Sequence, residues 1–86
     1  MAHTFTVTLT DEISSVLARV RTSITGNGGR FEGTMEHGSF DGKSVLGLIK
    51  GEYRRLAGDE IEIKITHKPF IVPFSRIESE IKQYFV

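Results

Sequence analysis

The stretch from Glu60 to His67 alternates without interruption, with Ile61, Ile63 and Ile65 on one side and Glu60, Glu62 and Lys64 on the other. Successive side chains of a strand point to opposite faces, so β-branched residues at period two specify a strand with one buried and one wet face. Such strands belong to antiparallel sheets covered on one side only, and the rest of the chain must supply both the neighbours and the cover. With 86 residues there is room for one core and one domain, spanning 1–86.

A second alternating strand lies at the start, where Phe5, Val7 and Leu9 interleave with Thr4, Thr6 and Thr8. The cover comes from two segments of helical period. Ile13, Val16, Leu17, Val20 and Ile24 fall on one stripe, with Thr10 placed to cap the helix and Asp11 and Glu12 facing its positive end. Gly26-Asn27-Gly28-Gly29 ends it. Phe74, Ile77, Ile81, Tyr84 and Phe85 form the other stripe, with a start between Val72 and Ser75, Pro73 suited to the first turn and Glu78 at the capping-box offset from Ser75.

The middle of the chain carries a short echo, Gly29-Arg-Phe31-Glu-Gly33 and Gly38-Ser-Phe40-Asp-Gly42, which predicts two short strands around a turn at Thr34 to His37. Asp41-Gly42 is a turn pair feeding a long strand from Ser44 to Leu56, and Ala57-Gly58-Asp59 turns the chain into the Glu60–His67 strand. Charge selects the register of that hairpin: Arg54 opposite Glu62 and Glu52 opposite Lys64 avoids like-charge pairs. Gly47 and Gly51 share the parity of Val45, Ile49 and Tyr53, which places them under a helix. The fold class is therefore α+β, an antiparallel sheet of four to five strands with two amphipathic helices on one face, in the order β-α-β-(β)-β-β-α.

Chemistry is sparse. No cysteine is present, which removes disulfides, thiolate catalysis and cysteine-bound zinc. His3, His37 and His67 lack metal-ligand spacing, and His67 on the parity of Ile65 reads as a strand-end histidine with one hydrogen-bonded ring nitrogen. No nucleophile elbow, P-loop, zincin or dinucleotide motif occurs, so no cofactor is expected. Glu32, Glu36, His37 and Asp41 are the residues that acid-base catalysis would use, but they are also ordinary turn residues.

Eleven basic against eleven acidic side chains argue against an electrostatic grip on nucleic acid. Lys50, Arg54, Arg55 and Lys64 around Tyr53 are interleaved with Glu52, Glu60 and Glu62, which cancels their field. The first ten residues alternate instead of forming a basic region followed by an apolar block, and no apolar stretch approaches bilayer-spanning length, so the expectation is a cytoplasmic protein without a leader or a membrane span. What remains is the apolar run Phe70, Ile71, Val72 and Phe74 around Pro69 and Pro73, from which Phe70, Val72 and Phe74 are the candidate apolar-contact residues.

Ile49-Lys-Gly51-Glu-Tyr53, the Ile61-Glu-Ile63 strand and Lys68-Pro-Phe70-Ile-Val-Pro73-Phe-Ser-Arg-Ile77-Glu-Ser-Glu-Ile81 together resemble the small bacterial polyhydroxyalkanoic acid system family over the C-terminal two thirds of the chain. The resemblance implies a non-enzymatic accessory or interaction role, associated with polyhydroxyalkanoate granules or a protein partner, and supplies no catalytic residue. A looser likeness to helix-over-curved-sheet lipid-binding proteins implies the alternative, a small apolar-ligand or lipid pocket between helix and sheet. A filled core with an exposed apolar patch would favour association; a cavity would favour ligand binding.

Overall fold

A computed structural model describes residues 3–44 and 47–85. In chain order the elements are β1 (His3–Thr8), α1 (Ile13–Gly26), β2 (Arg30–Gly33), β3 (His37–Ser44), β4 (Gly47–Arg55), β5 (Glu60–His67) and α2 (Phe74–Phe85). The strands form one five-stranded sheet in the order β1-β5-β4-β3-β2, antiparallel throughout. This is the α+β architecture that the alternating strands and the two amphipathic stripes require. Strands β2 to β5 run as a meander, while β1 returns to the far edge beside β5.

Both helices cover the same face. Val16 and Val20 of α1, Ile77 of α2, and Ile61, Ile63 and Ile65 of β5 are all at 0% exposure within one continuous core. β5 supplies three of these because it has a partner strand on each side and helices above it.

The β4–β5 register is the one selected by charge: Glu52 pairs with Lys64, Tyr53 with Ile63 and Arg54 with Glu62. Arg54 Nη2 donates to Glu62 Oε1 at 3.2 Å across the strands. The turn between β2 and β3 at residues 34–36 and the end of α1 each fall within one residue of the sequence expectation, with Gly26 inside the helix, His37 already in β3 and Gly28 at φ +85°.

Other local features differ. Helix α1 is capped by Glu12 and not by Thr10, and no side chain bonds to its first turn; Asp11 Oδ1 instead accepts from the Glu12 N–H at 2.8 Å. The strand interaction runs on to Leu9, whose N–H donates to Asp59 O at 2.7 Å, so residues 10 to 12 are consumed in the crossing from sheet to helix. Asp41-Gly42 is not a turn but lies inside β3, where Asp41 is flanked by Arg30 on β2 and Lys50 on β4. Cations on both sides favour the extended form that a turn would have ended. The expected single strand from Ser44 to Leu56 is consequently divided, with β4 starting at Gly47, and Val45 lies outside the described residues.

Gly51 is covered by the Phe40 ring and not by a helix, and Gly47, at φ +116°, lies against the Pro69 ring. A register shift at Lys50/Gly51 sets Ile65 opposite Gly51 but His67 opposite Lys50. The extra residue on β5 reverses the parity beyond it, which turns His67 out to solvent instead of toward the core.

Candidate contact surface at the β5–α2 turn

After His67 the chain leaves the sheet and makes a tight turn before α2. The Val72 N–H donates to Pro69 O at 3.1 Å, closing a four-residue turn whose two corner positions are Phe70 and Ile71. Corner side chains of such a turn project away from the chain, and these two are 95% and 87% exposed. Turn corners ordinarily carry Pro, Gly, Asn, Asp or Ser, which satisfy or tolerate the bend, so an aromatic and a β-branched residue there run against local preference.

The two ends of the turn are fastened. Pro69 lies over Gly47, where an added Cβ would sit 2.7 Å from the proline Cγ. Lys68 Nζ donates to Pro69 O at 3.2 Å and Phe70 O at 3.4 Å, and lies 4.9 Å from the centre of the Phe74 ring. Val72 and Phe74 pack against the core, and Phe74 stacks on His3 with ring centroids 4.7 Å apart. The three candidate residues are therefore not one surface: Phe70 is outside, Val72 and Phe74 are half inside, and Ile71 joins Phe70. The turn between Pro69 and Val72 is what divides the run, sending Phe70 and Ile71 outward and Val72 and Phe74 back toward the core.

A cavity of about 40 Å³ lies between the end of α1, strands β3 and β4, and the end of α2, lined by Ile24, Phe40, Ile49, Ile81, Tyr84 and Phe85 among others. By volume it holds roughly three waters, too little for an aromatic ring or an acyl chain. A wider, open depression lies on the opposite, polar face over Glu32, His37, Glu52, Arg54, Glu62 and Lys64. Its floor is the ladder of opposed charges set by the β4–β5 register, and Tyr53 is 2% exposed on the covered side, with its ring stacked on Phe31.

Of the acid-base candidates, Glu32 and His37 border the same polar depression, while Glu36 and Asp41 lie outside its lining. Glu36 faces Arg55 at 3.7 Å, Asp41 lies between two cations in the sheet, and Glu32 and His37 pair with Ser39 and Arg54. Among the described residues no hydrogen bond or ion pair joins any two of these four. Among the described residues there is no group of three or more His, Asp and Glu side chains placed to hold a metal ion. The histidine on the apolar side is His3, whose Nε2 lies 3.7 Å from Glu78 Oε1. Among the described residues no helix is long and apolar enough to cross a membrane. No family model, no curated protein and no solved structure matches the chain.

Proposed function

We propose that this domain is a non-enzymatic accessory module that acts through apolar contact at the β5–α2 turn, with Phe70 and Ile71 as the contacting side chains. The observation that carries the reading is the pair of almost fully exposed apolar residues at the corners of a turn anchored at both ends. Local sequence rules are broken where a site needs something that folding does not, and nothing in the packing of this domain requires Phe70 or Ile71 to be apolar. The resemblance to the polyhydroxyalkanoic acid system family directs the reading to a polyhydroxyalkanoate granule surface as the apolar phase, met in the cytoplasm of a bacterial cell.

The test is co-sedimentation of purified protein with isolated polyhydroxyalkanoate granules, comparing the parent with a Phe70→Ser/Ile71→Ser double variant. Loss of the variant from the pellet, with an unchanged melting curve, is the expected result. Equal sedimentation of the two overturns the contact, and recovery of neither in the pellet overturns the granule as its target.

A second reading, binding of a small apolar ligand, is supported by the apolar lining of the cavity between α1 and α2. Its size limits the ligand to a few heavy atoms. Chemical-shift changes at Ile24, Ile49 and Tyr84 on titration with a short-chain hydrocarbon or alcohol would support it, and their absence would remove it.

A further inference from the structure

Strand β1 forms one edge of the sheet, with β5 on its inner side and no strand on its outer side among the described residues. The Leu9 N–H donates to Asp59 on the β5 side, and alternate residues of a strand direct their main-chain groups to opposite sides. Val7, Phe5 and His3 therefore face β5. Thr4, Thr6 and Thr8 direct both N–H and C=O to the open edge, their side chains are exposed, and no hydrogen bond reaches those main-chain groups from elsewhere in the described residues.

The two edges of the sheet are protected differently. β2 has four residues and carries Arg30 and Glu32, short and charged as edge strands usually are. β1 has six residues, HTFTVT, without Lys, Arg, Asp, Glu, Pro or Gly. It is the longer, more β-prone and uncharged edge, the type that pairs with another strand unless something prevents it.

We infer that the β1 edge is a self-association surface whose occupant is β1 of a second copy of this chain, paired antiparallel about a two-fold axis at Thr6. That register sets Thr6 opposite Thr6, and Thr4 of one copy opposite Thr8 of the other. All three outward-facing residues then meet outward-facing residues, giving about six main-chain hydrogen bonds, since each such pair exchanges two. The wet face continues as threonine against threonine, and the covered face as Phe5 against Val7. β1 itself brings no Lys, Arg, Asp or Glu to the seam, the nearest such groups being Lys82 over the Phe5 ring and Glu78 beside His3 on the covered side, and a formal net charge of +0 leaves no overall repulsion between the copies. A seam of one short strand per copy is a small interface, so the pairing is a concentration-dependent equilibrium rather than an obligate dimer.

The test is sedimentation equilibrium of the parent across a concentration series, with three kinds of variant. The parent is expected to move from the 9.6 kDa single-chain mass toward twice that value. Thr6→Pro removes an N–H that faces the open edge, a position where proline is compatible with an edge strand, and is expected to stay at the single-chain mass. Thr6→Lys places two introduced lysines opposite each other and is expected to do the same, whereas an equimolar mixture of Thr6→Lys and Thr6→Glu is expected to regain association. Because the chain has no cysteine, Thr6→Cys is expected to cross-link to itself on mild oxidation and Thr4→Cys is not. A parent that stays at the single-chain mass throughout overturns the inference. So does a folded Thr6→Pro that associates like the parent; should that variant unfold, failure of the lysine and glutamate mixture to associate overturns it instead.

Discussion

Phe40 and Gly51 are direct partners across β3 and β4, and the phenyl ring of the first lies over the second so closely that a Cβ on Gly51 would come within 2.6 Å of Phe40 Cζ and 3.0 Å of Lys64 O. Gly51→Val should therefore destabilise the domain by about 1 to 3 kcal/mol through overpacking, read as a lowered urea midpoint. The ring is 5% exposed within the core, so its displacement would disturb packing there. A Gly51→Val variant with the parent's midpoint would show that the sheet bends away freely at this row.

The Arg54–Glu62 pair is exposed, and its worth is correspondingly small. Arg54→Glu sets two carboxylates opposite each other and should cost about 0.5 to 1 kcal/mol, most of it recovered in the Arg54→Glu/Glu62→Arg exchange. The double-mutant cycle by denaturant unfolding measures this coupling; a coupling of zero would mean that apolar pairs such as Tyr53–Ile63 alone hold the register.

Tyr53 connects the centre of the sheet to the β2–β3 turn, its hydroxyl donating to Thr34 O at 2.6 Å. The ring lies over Gly33 and Gly38, where any Cβ would meet the phenol, so these two glycines make room for it. Tyr53→Phe should cost about 1 kcal/mol. Burial raises the Tyr53 pKa above its ordinary value of 10.0, against a smaller lowering by Arg21. The unfolded chain thus releases the phenolic proton first, and the native state holds more protons once the pH passes that value. The stabilisation is complete below about pH 10 and is lost as pH rises through the raised native pKa. Stability measured across this range should fall more steeply for the parent than for Tyr53→Phe; identical slopes would sink the assignment.

Phe70 and Phe74 should separate cleanly in stability. Phe74→Ser removes the ring between His3 and Lys68 and should cost about 1 to 3 kcal/mol, less than a fully buried phenylalanine. Phe70→Ser should change the melting temperature by no more than ordinary surface substitutions do. A large loss from Phe70→Ser would move that residue into the folding core and remove it from the contact surface.

What the sequence made legible follows the range of the forces involved. Ile61, Ile63 and Ile65 announce their strand because period two is written in adjacent residues, and Arg54–Glu62 announces its register because charge is as well. The break in parity at Thr66 is invisible, since a bulge is decided by how β4 and β5 fit together and not by any residue on either. Asp41-Gly42 misled because turn preference is local, while the cations that hold Asp41 extended, Arg30 and Lys50, come from two other strands. The tip formed by Phe70 and Ile71 was half legible: the apolar run stood out, but which of its side chains face outward depends on a hydrogen bond between Val72 and Pro69.

The placement of β1 beside β5 bears on how the chain is made. Strands β2 to β5 are joined by short connections and can zip up in the order in which they leave the ribosome. β1 emerges before all of them, yet Thr6 has no mate until Glu62 has been synthesised. Until then the uncharged HTFTVT segment lacks its β5 partner, so the strand that is made first is the one that pairs last. Its threonines, which keep it wettable without giving it a charge, are what the growing chain has in place of a guard.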